Sequence, residues 1–563
     1  MTASAISKDT EVLINDLVLH VATANGSGSQ TSNMVLLRAL TDMGIPVSGK
    51  NLFPSNIQGL PTWFTIRANK DGHIAHRGNH DIVVCMNRDT AIKDAEEVKE
   101  GGVLIYEEAL KLQELRPDCT HYPVPFKKLI AECCKEVRLR KLIINMLYVG
   151  VCAQLFDIDM DAIKTALSSQ LSGKQKAIDL NLPALDFGFN WAKENLEKKD
   201  RFKLESIENK RDTVIMEGNR ALALGLLYGG ASVMTWYPIT PSTSVCEDLE
   251  MYLNRFRTNE DGTKNFACVQ AEDEIAAVGM LAGAGWGGAR AVTATSGPGI
   301  SLMNEIIGYA YYAEVPFVIV NVARTGPSTG LPTRTMQGDI TSIFYASHGD
   351  TKHITLIPST PREAFDFGIE SLNLAQDFQT PVFVLSDLDL GMNHWIADPI
   401  EMPTEPLRRG KIYSAEDLEK LQGDWGRYRD VDGDGITYRT LPGTDHPNAA
   451  YFTRGTGHTP DATYSEDGQV WVENMDRLTR KFNTAKTKVP KPEIQGSGSK
   501  VGLIYFGTSD LPVDEACKRL AADHDLSVDK CRLRAFPFTQ EVEDFIDSHE
   551  RVYVIEMNRD GQM

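Results

Sequence analysis

The chain has 563 residues, and this length predicts roughly three or four domains. A hydrophobic content of 42% and a charged content of 24% are typical of a soluble globular protein, while a formal net charge of −19 argues against nucleic acid as a partner. The longest apolar run, residues 142–156, contains Asn145 and Gln154 and predicts a core helix rather than a membrane span.

The first residues and the cysteines indicate the compartment. The N-terminal stretch is acidic and lacks the basic-then-apolar order of a signal peptide, so we expect a cytoplasmic protein. The nine cysteines are scattered and odd in number, which fits a reducing compartment. None forms the Cys-x-x-Cys spacing that holds a metal or a cluster, so we expect no iron–sulfur cluster in this chain.

The first segment, residues 1–195, is predicted to be an α/β domain. Apolar strands at 17–22, 82–86 and 103–106 alternate with helical patterns. The glycine-rich stretch ATANGSGSQ follows the first strand and precedes a helix, a setting in which helix N-termini bind anions. Thr31 replaces the third glycine of a dinucleotide-binding fingerprint, so a plain tight turn is the favoured interpretation.

A second α/β segment, residues 213–389, follows a charged stretch at 193–212 that is predicted to be a helix tail and linker. Its strands are short, apolar and separated by single glycine- and alanine-rich helices. Such an alternation implies a parallel sheet covered by helices on both faces. The predicted strands lie at residues 231–236, 266–270, 289–294, 316–322 and 381–385.

The rest of the chain differs in character. Residues 390–488 are polar with little periodicity, and they are predicted to be an irregular insertion that folds onto a neighbouring domain or a partner. Residues 489–499 have the composition of a flexible linker. Residues 500–563 predict a small α/β domain with strands at 501–506 and 552–556 and a helix at 513–522.

The loop after the first strand of the second segment carries two prolines three residues apart. Pro238 and Pro241 fix φ and hold the backbone extended. Thr240 then presents its hydroxyl at a strand end, where open α/β sheets bind ligands. The alternative is a proline-stiffened turn in which serine or threonine side chains cap the next helix.

Two further strand ends carry candidate groups. Glu274 lies where an apolar helix face begins, and an enclosed carboxylate at such a junction is a candidate acid or base. Arg324 follows a buried strand, where it is either a fork for a substrate carboxylate or part of a structural ion pair. Because the strands of a parallel sheet end at one edge, we expect Thr240, Glu274 and Arg324 to converge on one site.

These motifs occur in the order YPITPST, QAEDEIAAVG, TATSGPGISLMNE and GPSTGLPTRTMQGD, and with them the chain resembles the alpha subunit of the 2-oxoacid:ferredoxin oxidoreductases. The resemblance is closest to 2-oxoglutarate enzymes whose gamma-type domain is fused ahead of the alpha region. It covers nearly the whole chain, including EMNRDGQ near residue 560. It implies a gamma-type domain at 1–195, a pyrimidine-type thiamine diphosphate-binding domain at 213–389 and a transketolase-C-like domain at 500–563.

The resemblance assigns roles to the converging residues. Glu274 matches the glutamate that shares a proton with the aminopyrimidine ring, so that the neighbouring amine becomes the cofactor's internal base. Thr240 matches the threonine that contacts the 2-oxoacid, and Arg324 matches the arginine that holds its 1-carboxylate. Arg334 is a second substrate candidate, for a distal carboxylate or for loop structure. The expected cofactor contacts are Tyr237, Pro238, Ile239, Glu274, Ser296 and Gly297.

An Asp/Gly-rich loop at residues 430–435 invites two metal-binding interpretations. An EF-hand needs a bidentate glutamate at its twelfth position, where Leu441 stands. The magnesium–diphosphate motif of thiamine enzymes needs an asparagine farther along the chain than Asn448. A plain turn is therefore favoured over a divalent-ion site, and no metal ligand is assigned.

The missing diphosphate motif and the missing cluster cysteines bear on the partners. The resemblance places the diphosphate motif with its magnesium, and the cysteines with a [4Fe-4S] cluster, on a beta subunit. The two kinds of subunit are expected to form an (αβ)₂ heterotetramer, with the cofactor at an interface between chains. The implied reaction turns a 2-oxoacid and coenzyme A into acyl-CoA, CO₂ and reduced ferredoxin, as in the tricarboxylic acid cycle. The acidic surface of this chain would repel acidic ferredoxin, so the partner is expected to dock it.

Alternatives to a 2-oxoglutarate enzyme remain open. Pyruvate or branched-chain 2-oxoacids fit the same chemistry. A non-catalytic assembly subunit and a non-oxidative thiamine transferase are rivals of other classes. The glycine-rich stretch also departs from the family's GxGGQG pattern, which leaves a nucleotide role for it open.

Overall fold

The computed structural model describes four stretches of the chain, which form two compact units. The first unit comprises Met1–Ile215 and Asn393–Pro399, and the second comprises Met216–Met392 and Ile400–Met563. The second unit therefore contains the segments predicted at 213–389 and 500–563 almost entirely, together with most of the insertion. The described stretches are residues 11–54, 60–208, 212–422 and 424–563.

The first unit is built on a mixed eight-stranded sheet in the order β7-β6-β5-β2-β4-β3-β16-β9. β2, β5, β6 and β7 run parallel, whereas β4 and β3 pair in antiparallel fashion. The three predicted strands of this segment are confirmed. The elements are β1 (Leu13–Ile14), β2 (Asp16–Ala24), α1 (Ser29–Asp42), β3 (Val47–Leu52), β4 (Pro61–Asn69), β5 (His80–Cys85), α2 (Ala91–Glu96), β6 (Val98–Glu107), β7 (Thr120–Val124), α3 (Phe126–Cys133), α4 (Val137–Phe156), α5 (Met160–Gln170), α6 (Gln175–Asn195), β8 (Phe202–Lys203), β9 (Val214–Met216) and β16 (His394–Ala397).

Helix α4 is long and apolar enough to cross a membrane, but two-thirds of its most apolar window (67%) is buried inside the first unit. It packs closely on α6. A Cβ added to Gly150 would lie 2.3 Å from the carbonyl oxygen of Leu185, and one added to Gly188 would lie 2.4 Å from that of Leu147. Two glycines thus let the helix backbones touch, which is the packing of a protein core and confirms the predicted core helix.

The second unit is built on a seven-stranded sheet in the order β11-β10-β12-β13-β15-β14-β20. Its strands are parallel except β20, which pairs with β14 in antiparallel fashion. All five predicted strands are confirmed. The elements of this part are α7 (Gly218–Tyr228), β10 (Val233–Trp236), α8 (Thr243–Phe256), β11 (Ala267–Gln270), α9 (Glu274–Trp286), β12 (Ala291–Thr295), α10 (Gly297–Ala313), β13 (Phe317–Ala323), α11 (Ile340–Phe344), β14 (Ile354–Leu356), α12 (Pro361–Phe378), β15 (Pro381–Asp387) and α13 (Leu388–Met392).

The C-terminal part adds a four-stranded sheet in the order β17-β19-β18-β21. The predicted strands at 501–506 and 552–556 and the helix at 513–522 are confirmed within it. The remaining elements are α14 (Ala415–Lys420), α15 (Gly468–Ala485), β17 (Glu493–Gln495), β18 (Val501–Phe506), α16 (Asp510–His524), β19 (Asp529–Leu533), β20 (Ala535–Phe536), α17 (Gln540–Asp547) and β21 (Arg551–Ile555), with a short 3₁₀ turn at Gly507–Ser509.

Two predictions about loops are wrong. The supposed linker contains β17, which pairs with β19. The next residues, 497–499, are fixed because their three backbone N–H groups donate to the Asp529 carboxylate. The supposed irregular insertion contains β16 and the 18-residue helix α15. The buried face of α15 is mixed: apolar residues recur at helical spacing, and charged and amide side chains lie between them. Its buried residues are Asn474, Arg477, Leu478, Lys481 and Ala485.

Helix α15 is fixed to α10 by a buried cluster of charges. Glu314, which follows α10, pairs with Arg477 at 2.6 Å and with Lys481 at 2.8 Å, and its side chain is 1% exposed. Arg427 donates to the backbone carbonyl of Glu314 at 3.0 Å. Burial raises the pKa of Glu314, but Arg477 and Lys481 lower it more, so that it lies below its usual range. The insertion is thus anchored to the second unit by buried ion pairs together with apolar contacts of Leu478, Phe482 and Ala485.

Replacing Glu314 with glutamine is expected to destabilise the protein by about 3–5 kcal/mol, because two buried cations lose their counter-charge. The pKa of Glu314 is lowered on folding, so this stabilisation is complete at neutral pH and is lost as the pH falls below about 4.5. Thermal unfolding at pH 7 checks the effect, with the exposed Glu305 of the same helix changed to glutamine as the control. Equal melting temperatures for the two variants would contradict it.

Candidate functional site

The carboxyl ends of the parallel strands of the second unit meet at one edge of the sheet. β10 leads into the Tyr237–Thr243 loop, β11 into the turn before Glu274, and β12 into Ser296. β13 leads directly into Arg324. β12 and β13 pair in register, as do β13 and β15. Thr240, Glu274 and Arg324 therefore lie at the same edge of the sheet, as expected from the strand pattern.

The proline loop is held from two sides. Arg324 Nη1 donates to the carbonyl oxygen of Thr240 at 2.6 Å, so two of the predicted residues touch directly. Asn219 Nδ2 of α7 donates to the carbonyl oxygen of Pro241 and to Ser244 Oγ, each at 2.9 Å. Tyr237 at the loop tip is exposed, whereas Thr240 is half-buried. The loop is thus an anchored wall of the site, and Asn219 is a contributor that the sequence analysis missed.

Glu274 is enclosed, as predicted. Asp273 caps α9 by accepting from the backbone N–H of Ala276 at 2.7 Å, which leaves Glu274 as the first residue of the helix. Glu274 is 6% exposed, while its neighbour Glu272 is exposed. Within the part of the chain that the structure describes, the Glu274 carboxylate has neither a hydrogen bond nor a salt bridge. The Glu274 carboxylate is therefore available to bond to a ligand.

The glycine turn that starts α10 lies against Glu274. A Cβ on Gly299 would lie 3.0 Å from Glu274 Cγ and 1.9 Å from Thr295 Oγ1. Ser296 is fully buried, and its Oγ has no hydrogen-bond partner among the described residues. A Cβ on Gly297 would lie 2.6 Å from Asp339 Oδ1. The turn therefore lies close to both Glu274 and Asp339.

Arg324 is 7% exposed and has an acid nearby that the sequence analysis did not select. Burial lowers the pKa of Arg324, and the charge of Asp339 partly offsets this. Burial also raises the pKa of Asp339, against the opposing effects of Asn321 and Arg324. Asn321 Nδ2 donates to Asp339 Oδ2 at 2.9 Å. Asp339 lies in the TMQGD end of a motif already singled out, which is the signal that could have found it.

The C-terminal residues of the chain hold the Asp339 loop in place. Gln337 and Met557 exchange backbone and side-chain hydrogen bonds, each of 2.9 Å. Asn558 Nδ2 donates to the carbonyl oxygen of Gln337 at 3.0 Å, and the backbone N–H of Ile340 donates to Gln562 Oε1 at 3.1 Å. The EMNRDGQ motif thus supports the loop behind Arg324 from a distant part of the sequence.

Arg334 lies on a hairpin-like loop that starts immediately after Arg324. The backbone N–H of Thr325 donates to the carbonyl oxygen of Arg334 at 3.0 Å, which closes the loop. The Arg334 guanidinium donates to the carbonyl oxygen and hydroxyl of Thr333, each at 2.9 Å. Residues 326–331 between them are exposed. The structure thus places the base of this loop next to Arg324.

The Asp/Gly-rich loop at residues 430–435 is occupied by the chain's own cations. Lys411 Nζ lies 2.6 Å from Asp432 and 2.9 Å from Asp434. Asp430 accepts from the backbone N–H of Gly435 at 3.0 Å and pairs with Arg480 at 3.3 Å. These contacts are those of the favoured interpretation, an Asp/Gly-rich turn.

An exposed apolar surface borders the site. Helix α9, which begins at Glu274, leaves Ile275, Met280 and Trp286 40–50% exposed, and Val269 on the edge strand β11 is 39% exposed. A Cβ on Gly279 of the same helix would meet no atom within 4 Å. Exposed apolar side chains grouped on one helix and the neighbouring strand are typical of protein–protein contact surfaces. We call Val269, Ile275, Met280 and Trp286 the α9 surface.

Two family models match the chain. Residues 225–418 match the thiamine diphosphate-binding domain of pyruvate flavodoxin/ferredoxin oxidoreductases. Residues 18–191 match a second pyruvate ferredoxin/flavodoxin oxidoreductase domain. The first match contains Thr240, Glu274, Ser296, Arg324 and Asp339.

Individual proteins match over most of the chain. The alpha subunit of 2-oxoacid:ferredoxin oxidoreductase 1 from Aeropyrum pernix is 32% identical over 90% of this chain and 84% of its own length. The 2-oxoglutarate synthase subunit KorA from Methanothermobacter thermautotrophicus is 34% identical over 62% of this chain and 88% of its own.

A solved structure matches the whole architecture. The 2-oxoglutarate:ferredoxin oxidoreductase from Magnetococcus marinus, with 2-oxoglutarate, coenzyme A and succinyl-CoA bound, superposes with a TM-score of 0.88 at 29% identity. The match covers 97% of this chain and 93% of that one. The multi-domain α/β fold inferred from the sequence is therefore confirmed.

Proposed function

Because the chain belongs to the alpha subunits of the 2-oxoacid:ferredoxin oxidoreductases, we propose that its second unit forms one half of a thiamine diphosphate site for the oxidative decarboxylation of 2-oxoglutarate. The chain is thus one subunit of an oxidoreductase that acts on 2-oxoacids. The observation that carries the proposal is the buried carboxylate of Glu274, which has no partner within the described residues. The substrate assignment is supported by the two 2-oxoglutarate enzymes that match the chain.

The residues around Glu274 fit the pyrimidine end of the cofactor. Glu274 supplies a carboxyl proton or its acceptor, Ser296 supplies an unpartnered hydroxyl, and Gly297 and Gly299 leave room where side chains would collide. Thiamine diphosphate, when bound, supplies the electron sink that decarboxylation of a 2-oxoacid requires. Tyr237, Pro238 and Ile239 form the proposed wall on the other side of the ring.

Arg324 and Thr240 are proposed to bind the keto-acid end of the substrate. A guanidinium presents a planar fork that matches a carboxylate. Arg324 is already fixed by its bond to the Thr240 carbonyl, so little side-chain entropy is lost on binding. The charge of Asp339 opposes the lowering of the Arg324 pKa by burial, and Asn321 donates a hydrogen bond to the Asp339 carboxylate. Arg334, on the exposed loop, is the proposed partner of the distal carboxylate of 2-oxoglutarate.

The diphosphate end of the cofactor, with magnesium, is proposed to bind a beta subunit that also carries a [4Fe-4S] cluster and docks ferredoxin. Two features support this division: the α9 surface beside Glu274, and a sequence without Cys-x-x-Cys pairs or a diphosphate–magnesium motif. The α9 surface is the proposed contact with that subunit in an (αβ)₂ heterotetramer. Coenzyme A is the proposed acceptor of the acyl group.

The decisive assay uses the chain co-expressed with its beta subunit. We expect reduction of a viologen dye that requires both 2-oxoglutarate and coenzyme A and exceeds the rates with pyruvate and branched-chain 2-oxoacids. Faster turnover of pyruvate would change the proposed substrate but leave the proposed reaction, oxidative decarboxylation, in place. Decarboxylation without dye reduction would favour a non-oxidative transferase, and no turnover with any 2-oxoacid would favour an assembly subunit.

Changing Gly299 to alanine is expected to lower this activity at least tenfold while the chain stays folded. The added methyl group would meet Thr295 Oγ1 and Glu274 Cγ, so the Glu274 carboxylate must move, and small misplacements of catalytic groups are costly. Steady-state dye reduction measures the loss. Gly349→Ala is the matched control, because a Cβ there meets nothing within 4 Å. Full activity of Gly299→Ala would show that the position of Glu274 does not matter.

A further inference from the structure

The opposite edge of the same sheet, where the parallel strands begin, contains a cavity of about 500 Å³ that the proposed reaction does not use. This volume lies within the range of small-molecule binding sites. Arg257 follows α8, Arg290 precedes β12, and Arg409 comes from the stretch after residue 400. The apolar part of the lining is Leu227, Tyr228, Phe256 and Leu407.

The three arginines of this cavity lack counter-charges. Within the described residues, none of Arg257, Arg290 and Arg409 forms a salt bridge. The nearby acids, Glu370 and Asp377, are already paired with Arg408 at 2.7 and 2.6 Å.

Hydrogen bonds position these guanidinium groups without neutralising them. Arg290, which is 2% exposed, donates to the Gly229 carbonyl oxygen at 2.6 Å and to Asn373 Oδ1 at 2.8 Å. Arg257 donates to the Ala231 carbonyl oxygen at 2.9 Å, and Arg409 to that of Gly288 at 2.7 Å. Arg290 Nη1 also donates to the Arg408 carbonyl oxygen at 2.7 Å, and Arg257 Nε donates to Asn265 Oδ1 at 3.0 Å. Each guanidinium has five N–H donors, so some donors of each remain for a ligand. Every acceptor named here is uncharged, so none of these hydrogen bonds neutralises a guanidinium.

The like charges also act on one another. Burial lowers the pKa of Arg290 to about 10, the charge of Arg409 lowers it further, and the charges of Asp377 and Glu370 partly oppose this. Because both acids are paired with Arg408, a bound anion would still relieve the repulsion between Arg290 and Arg409. Positioned, uncompensated arginines beside aromatic rings are a recognition surface for phosphate groups attached to an apolar or planar body.

We propose that this cavity binds a small phosphorylated ligand, with its phosphates on Arg257, Arg290 and Arg409 and an aromatic or apolar body against Tyr228 and Phe256. The ligand would occupy the edge of the sheet opposite Glu274, so it would not compete with the 2-oxoacid. It would stabilise the second unit by binding only the folded state.

Isothermal titration of the full chain with uridine diphosphate, pyrophosphate and uridine tests the proposal. We expect uridine diphosphate to bind more tightly than pyrophosphate, and uridine not to bind. Arg257→Gln and Arg409→Gln should each weaken binding of both phosphorylated probes about tenfold or more, whereas Arg362→Gln, on the surface of α12, should not. Phe256→Ala should remove the advantage of uridine diphosphate over pyrophosphate.

Three outcomes would overturn the proposal. In the first, neither phosphorylated probe binds at millimolar concentration. In the second, Arg257→Gln and Arg409→Gln both bind the probes as tightly as the wild type does. In the third, uridine binds as tightly as uridine diphosphate. The two variants concern partly exposed side chains, so they are expected to fold, and circular dichroism of each verifies this. The assay needs neither turnover nor a beta subunit, so its failure would leave the proposed function intact.

Discussion

Changing Glu274 to glutamine is expected to lower 2-oxoacid oxidation by about 10²- to 10⁴-fold. Glutamine has the size and polarity of glutamate but cannot share a proton with a heterocycle. The side chain is buried and has no protein partner among the described residues, so the change breaks no hydrogen bond or salt bridge there. We therefore expect the variant to fold and to assemble with its partner. Dye reduction at saturating substrate measures the loss.

The matched control for this prediction is Glu272→Gln. Glu272 is an exposed acid two residues earlier, at the same helix start, so changing it alters the net charge equally. Its activity should stay within about twofold of the wild type, in keeping with the small effects of surface substitutions. Normal turnover by Glu274→Gln, with the Glu272→Gln variant also active, would remove Glu274 from the chemistry.

Changing Arg324 to glutamine is expected to weaken the apparent affinity for the 2-oxoacid by roughly 30-fold or more. The loss corresponds to at least 2 kcal/mol for a charge pair inside a site shielded from water. Lysine at this position keeps the charge but not the fork, so Arg324→Lys should recover part of the affinity. The Michaelis constants for 2-oxoglutarate and for coenzyme A measure the effect, and only the first should change.

The Arg334→Gln variant tests which residue binds which carboxylate of 2-oxoglutarate. If Arg334 binds the distal carboxylate, this variant loses affinity for 2-oxoglutarate but not for pyruvate, which lacks that group. Arg324→Gln should lose affinity for both, because both carry the 1-carboxylate. An unchanged Michaelis constant for every 2-oxoacid in Arg324→Gln would transfer carboxylate binding to the partner subunit or to Arg334.

The parallel strands and the edge at which their residues meet could be predicted from the sequence. Most predicted strands of the second segment are buried apolar runs with a glycine or proline at one end, a pattern that depends on local burial. The contact between Arg324 and Thr240 follows from the topology, because their strands end at the same edge of one sheet.

Other features depend on contacts between distant residues and leave little local signal. Helix α15 turns Arg477 and Lys481 inward toward Glu314, and nothing in the local sequence distinguishes these buried cations from surface ones. Strand β14 has only three residues, too few for a pattern. The support of the Asp339 loop by Gln562 joins residues more than 200 positions apart, and nothing in either segment alone predicts it.

The most direct test is a structure of this chain bound to its beta subunit and thiamine diphosphate. The account predicts the aminopyrimidine ring within hydrogen-bonding distance of the Glu274 carboxylate and the diphosphate held by the other polypeptide. A cofactor bound wholly within this chain, or a ring remote from Glu274, would contradict it.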